Sequence, residues 1–291
     1  MVKQLLGRGA LAGAAAGLVA FIFARIFAEP VIQQAIDYES ARDAVQDALD
    51  KAAGMAMPAA GPDIFSRTVQ ADIGIGAALI IVGAAFGALV AVGYVVALGR
   101  TGRIRPFQLA LLIPAFYFVG FYLVPFLKYP ANPPAIGHEE TIRDRGALFF
   151  LTVAVSCLAL FLAVYLGQNL YRRFSLYQSV LIAGAGYAIV MTVLFLSLPS
   201  FGELAANVAE YGHHATETPL PLTNKAGTIV FPGFPADVLA KFRLLSVLNQ
   251  AVLWTVLAMV FAPLAQRVVA PEATKAAKGS RAVEVPESAL V

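Results

Sequence analysis

The sequence predicts an all-α, polytopic membrane protein with six transmembrane helices, on three observations. First, 59% of the 291 residues are hydrophobic and only 13% are charged, about half the charged share of a soluble domain. Second, six apolar stretches reach the ~20 residues that a helix needs to cross a bilayer. They lie at about 5–27, 72–98, 107–127, 147–167, 179–198 and 242–260. Third, the segments between them alternate in charge. Lys3 and Arg8 lie at the N-terminal end of the first stretch, Arg100, Arg103 and Arg105 follow the second, Arg172 and Arg173 follow the fourth, and Arg267, Lys275, Lys278 and Arg281 follow the sixth. The intervening connections hold most of the acids, among them Glu29, Asp37, Glu39, Asp43, Glu139, Glu140, Asp144, Glu203, Glu210 and Glu217.

Cytoplasmic loops of membrane proteins collect Lys and Arg, so both termini are expected in the cytoplasm and the three acidic connections outside. The chain then divides into a six-span domain over 1–266 and a disordered cytoplasmic tail over 267–291, the latter rich in Ala, Lys, Glu and Pro without apolar periodicity. The expected location is the cytoplasmic (inner) membrane, as a multi-pass protein. All three histidines, His138, His213 and His214, fall in connections assigned to the outer side.

Taken in order, the first stretch is too long for a signal-peptide core and lacks a clear small-residue cleavage site, which makes it a retained span. Gly9, Gly13 and Gly17 form a GxxxGxxxG row in it, and Gly83 with Gly87 repeats the spacing in the second span. Small residues so placed let helix backbones approach closely, so these spans are expected to pack as a pair. The connection between them opens with IQQAIDYESARDAVQDALDKAAG, whose Ile32, Ala35, Ile36, Ala44, Ala48 and Leu49 partly keep helical spacing, predicting a short amphipathic helix. MAMPAAGPD then breaks it. Gly74 and Gly76 begin a dinucleotide-like pattern that has neither its third glycine nor a preceding strand, and it is rejected.

After the third span comes a proline-stiffened polar lip, LVPFLKYPANPPAIGHEETIRDRG, over 123–146. Pro130, Pro133 and Pro134 fix φ and push the residue before each toward extended backbone. Lys128, Tyr129, Pro130, Asn132, Pro133 and Pro134 therefore read as a scaffold for the outer mouth. The single cysteine, Cys157, lies inside the fourth span; it excludes an internal disulfide and reads as apolar filler. The 199–241 connection contains PGFP, a second turn-rich element.

Chemistry-bearing residues concentrate outside. Glu210, His213, His214 and Glu217 spell ExxHHxxE, and on a helix they would share a sector of roughly 100°. Imidazole and carboxylate converging there suit divalent cobalt, nickel or zinc. Gly212 weakens that helix, and a solvated loop holding two histidines is the competing reading. Glu203 and His138, the latter beside Glu139 and Glu140, complete the candidate metal set. Arg25 lies four residues before Glu29, a spacing that allows a local pair. In the sixth span Ser246, Asn249 and Gln250 either line a path or lock helices together. HExxH, GxSxG and Walker A signatures are absent, so no enzyme, cofactor or nucleic-acid partner is expected.

KYPANPP at 128–134 resembles the hallmark of the CbtA family of cobalt transporter subunits. Further stretches agree in order: LLGRGALAGAAAGLVAFIFARIFAEP from Leu5, AIDYE ending at Glu39, SRTVQADIG from Ser66, LPSFGE ending at Glu203, and FRLLSVLNQAVLW from Phe242. The resemblance implies a membrane subunit for uptake of cobalt, Co2+ being the transported ion, beside a small His-rich single-span companion, CbtB. It supplies no ligand set, so the metal candidates rest on the residues themselves. The alternative is a non-transporting assembly protein that binds a small partner through its glycine rows.

Overall fold

The computed structural model describes residues 1–55, 66–102, 104–134, 136–213 and 216–283. Six of its helices are long and apolar enough to cross a membrane: Val2–Ala52, Arg67–Ala97, Pro106–Lys128, Glu139–Leu170, Leu176–Glu203 and Ala236–Ala270. Five of the expected spans fall within one of them, and the second, 72–98, ends one residue beyond Ala97.

Three of these helices widen into a π turn, at Ala24–Ala28, Gln70–Gly74 and Phe118–Leu123. The first precedes Pro30 and the last precedes Pro125. A proline cannot donate to the carbonyl four residues back and its ring crowds that carbonyl, so a widened turn just before it relieves both problems. The first helix therefore does not stop at the end of its span but continues as Glu29–Ala52. The amphipathic segment expected there is present, continuous with the first span rather than separate, and it buries Val31, Ile32 and Ala35. The break at 56–65 lies outside the described residues.

The chain forms two compact units. The first holds residues 1–22, 68–116 and 251 onward. Its helices meet glycine to glycine. A Cβ built on Gly13 would lie 1.9 Å from the Gly83 carbonyl oxygen, one on Gly87 would lie 1.9 Å from that of Gly9, and one on Gly17 would lie 2.2 Å from that of Leu79. No side chain fits in those gaps, which is why the sequence places glycine on both partners. Trp254 stacks on Phe86 with centroids 5.0 Å apart, and Tyr94 meets Phe261 edge to face at 5.5 Å. Arg8 donates to the Leu264 carbonyl at 2.7 Å. Because the glycine rows close on each other, they are not free to receive a partner helix.

The second unit holds residues 23–67 and 117–250. Helices Ile142–Leu170 and Leu176–Ser197 form its antiparallel pair, joined at Ser175, whose hydroxyl accepts from the Gln178 N–H in a reciprocal capping box. Across that pair Ser156 and Tyr187 share a hydrogen bond of 2.8 Å. Cys157 packs toward Gly120, where an added Cβ would come within 2.9 Å of its sulfur. A two-stranded antiparallel hairpin, β1 (Leu222–Thr223) and β2 (Ile229–Phe231), adds strand to an otherwise helical chain. The Asn224 side chain accepts from the Ala226 and Thr228 N–H groups, and Gly227 adopts φ +75°, so local turn chemistry builds it.

The last helix runs Ala236–Val283, and its membrane-length part ends at Ala270. Beyond the span it carries Ala273, Lys275, Ala276, Ala277 and Lys278, strong helix formers that can extend a helix already nucleated by the span.

Candidate functional site

The lip is anchored by charge and by aromatic packing. Lys128 ends helix Val124–Lys128 and donates through Nζ to the carbonyls of Phe195 (2.8 Å) and Leu198 (2.7 Å). Those carbonyls belong to the end of helix Leu176–Ser197, where the last turn has no intrahelical donors and the helix dipole is negative. Tyr129 is 3% exposed, donates to the Pro199 carbonyl at 2.9 Å and stacks on Phe201 at 4.4 Å and 11°. Burial raises its phenol above the ordinary range. Arg243, at the start of the last helix, donates to the Ala131 carbonyl at 3.3 Å and to Asn132 Oδ1 at 3.0 Å. The prolines bias the backbone, and these contacts hold it in place. Lys128→Met keeps the stem and loses both charge-assisted bonds, and it is expected to lower stability by about 2 kcal/mol, read as a thermal-unfolding shift in detergent.

The second half of the lip enters a buried polar knot. Glu217 is 3% exposed and Asn207 2%. Glu217 Oε1 accepts from the Thr141 hydroxyl and, at 2.9 Å, from Asn207 Nδ2, while its Oε2 pairs with Arg145 Nη1 at 2.8 Å. The His138 carbonyl accepts from the Thr141 hydroxyl at 2.9 Å and from Arg145 Nη2 at 3.2 Å. Gly137, at φ +140°, passes over the pair so closely that a Cβ would lie 2.5 Å from Arg145 Nη1. Residues 137–145 and 207–217 are thereby locked together through one ion pair.

Tyr38 joins a third connection to this assembly. Its hydroxyl donates to the Pro232 carbonyl at 2.9 Å, and its ring packs against Phe231 at 5.3 Å and edge to face against Phe234 at 5.0 Å. Beside it, Glu39 holds its proton more tightly than an ordinary carboxyl, through burial first and then through repulsion from Asp43 and Glu139. These carboxylates make a locally negative surface.

The expected ExxHHxxE face does not form. Helix Ala205–Tyr211 ends at Gly212, whose φ of +75° is left-handed and turns the chain away. His213 is exposed beyond it, His214 lies outside the described residues, and Glu217 is engaged by Arg145. Glu210 is in the helix backbone. Glu203 closes a capping box, accepting from the Ser200 N–H at 3.1 Å. His138 caps the turn Glu139–Thr141, its Nδ1 accepting from the Glu140 N–H at 3.4 Å. Among the described residues no three or more His, Cys, Asp or Glu side chains converge to hold a metal ion. In the sixth span Ser246 donates to its own helix at the Phe242 carbonyl, Gln250 is half-buried, and Asn249 keeps a buried Oδ1 without a hydrogen bond. The pairing expected between Arg25 and Glu29 is replaced by one between Glu29 and Arg67.

Sequence reasoning missed Thr141, Arg145, Asn207, Arg243 and Arg67. Arg145 and Arg243 each flank an apolar stretch, where an unpaired cation calls for a partner, but spacing along the chain does not reveal which one.

The architecture defines a multi-pass helical membrane protein whose connections, in the second unit, fold into a fixed cap instead of loose loops. The chain belongs to the CbtA family: the model of that family, described as "Probable cobalt transporter subunit", matches residues 2–266, nearly its whole length. Neither a curated protein nor a solved structure matches it. Being a subunit, it works with at least one other chain, and its family is one of transporters.

Proposed function

We propose that this chain is the membrane subunit of a cobalt-uptake transporter, set in the cytoplasmic membrane with both termini inside and its capped connections outside. The observation that carries the reading is the family match over residues 2–266. The capped connections support it. Stretches that carry the family resemblance are the ones that bind each other in space: KYPANPP holds LPSFGE through Lys128 and Tyr129, and FRLL holds KYPANPP through Arg243. Connections tied by such contacts present fixed geometry to an incoming ion.

Within that reading the acidic outer surface concentrates cations, and the exposed His213, with Glu210 and His214 near it in sequence, offers them imidazole and carboxylate. Glu203 and His138, each held in a local cap, make weaker contacts, and Glu217 is withdrawn from the metal set by its ion pair. Asn249 Oδ1, with Gln250 and Ser246, supplies oxygen along the last span. A small His-rich single-span companion completes the transporter. Accumulation of radioactive cobalt at limiting external cobalt tests this, in cells carrying the chain with its companion against cells lacking it. Higher accumulation with the chain is the expected result, with nickel and zinc as competitors to establish ion preference. Equal accumulation overturns the reading.

A further inference from the structure

The first helix carries oxygen donors at three successive turns just past its π segment: Glu29, Gln33 and Asp37. They grade from buried to exposed. Glu29 is 8% exposed, Gln33 is half-buried and Asp37 is exposed. Gln33 Nε2 donates to Asp37 Oδ1 at 2.8 Å, which turns the Gln33 carbonyl oxygen the other way. There Arg67 meets it: Nε donates to Gln33 Oε1 at 3.3 Å, and Nη2 donates to Glu29 Oε1. One guanidinium thus sits across two rungs of the ladder, in the position a cation would take.

Two further features mark this site. Glu29 Oε2 is shut away from solvent with no hydrogen-bond partner, although a buried carboxylate normally satisfies both oxygens. The backbone on each side is also non-ideal. The Glu29 N–H closes the π turn by donating to the Ala24 carbonyl, and Arg67 opens the helix that widens at Gln70–Gly74. The first of these turns is the one Pro30 calls for, whereas no proline follows Gln70–Gly74 in its helix, and π turns without such a cause concentrate at functional positions.

We propose that Glu29, Gln33 and Asp37 form an entry ladder for a divalent first-row cation, and that Arg67 is a tethered cation which fills its deepest rung until the ion displaces it. This deepens the transport reading and rests on it. Asp37 takes the ion from solvent and Gln33 passes it on. Glu29 receives it, offering its unpaired oxygen as the arginine swings toward its partly exposed side, where 30% of its side chain already meets solvent. All-oxygen ligation with one strong carboxylate holds such an ion weakly, as a transit site requires.

The test is calorimetric titration of cobalt chloride into the purified chain in lipid nanodiscs, alongside cobalt uptake in cells. Arg67→Gln is expected to tighten cobalt binding about tenfold or more, because removing a cation a few ångströms away favours the entering one; adding Glu29→Gln to it is expected to abolish that gain. Arg67→Lys retains a cation and is expected to leave binding close to wild type. Should Arg67→Gln not fold, Asp37→Asn at the exposed rung is expected to lower cobalt uptake several-fold, and unchanged uptake would overturn the ladder. Unchanged binding in a folded Arg67→Gln, while wild-type cells still take up cobalt, overturns the ladder and leaves the transport reading standing. Tightened binding in Arg67→Gln with no uptake by wild-type cells supports the site and overturns the transport reading.

Discussion

A Gly13→Leu variant is expected to yield no correctly packed first unit, while Gly7→Leu, less than two turns away on the same helix, remains close to wild type. At Gly13 the first carbon of any side chain meets the Gly83 carbonyl oxygen at 1.9 Å and Gly87 Cα at 2.9 Å. Both are backbone atoms, so no rotamer change relieves the clash and the helices must separate. Overpacking a well-fitted contact costs about 1–3 kcal/mol where side chains can shift, and more is expected here because they cannot. Helix association in a bilayer rests on close packing, so separation removes the contacts that hold the pair together. Gly7 has nothing within 4 Å of an added Cβ, which makes it the matched control for hydrophobicity and helix propensity. Detergent-solubilised material should elute as aggregate or unfold at markedly lower temperature for Gly13→Leu, and as wild type for Gly7→Leu. Equal behaviour of the two variants would refute close glycine packing.

That contact was largely legible in the sequence, because it depends on a periodicity that can be read directly: glycines four apart on two apolar stretches. The spans were legible for the same reason, each being a long apolar stretch bounded by charge. The capped connections were not. Lys128 was visible as a cation at a span end, but its partners, the carbonyls of Phe195 and Leu198, are backbone atoms that every residue possesses, so no sequence pattern marks them. Glu217 shows the opposite failure. Its spacing from His213 and His214 suggested a shared helical face, and the left-handed turn at Gly212 removed that face. The glycine was itself the signal, since it is the residue that most readily accepts φ of +75°. The long-range partner Arg145 followed only from three-dimensional placement. The extension of the first helix through Pro30 was hidden for a local reason: a proline ordinarily reads as a boundary, and the π turn that accommodates it leaves no compositional trace.

Glu217→Gln carries the second large effect. The amide keeps the shape of the carboxylate and still accepts from Thr141 or Asn207, but it leaves Arg145 charged, only 23% exposed at its side chain and without its counter-ion. Removing one member of a buried ion pair costs about 3–5 kcal/mol, because the remaining charge stays desolvated. The loss should release the contact between residues 137–145 and 207–217, which lowers thermal stability and makes those segments more susceptible to protease. Replacing both partners, as Glu217→Met with Arg145→Met, is expected to recover much of that stability, since no unpaired charge is then buried and the methionines refill the volume. The Gly137 backbone, which a Cβ would drive into Arg145 Nη1, predicts the same phenotype for Gly137→Ala by steric means. The decisive comparison is between stability and ion handling. If Glu217 is a structural tie, the folded fraction of Glu217→Gln binds cobalt with wild-type affinity, and the methionine pair takes up cobalt at a rate set by the amount folded. If Glu217 instead held the ion, both variants would lose affinity even where folding is restored. Measuring cobalt affinity per folded molecule in the methionine pair separates the two, and the ion pair at 2.8 Å makes unchanged affinity the expected result.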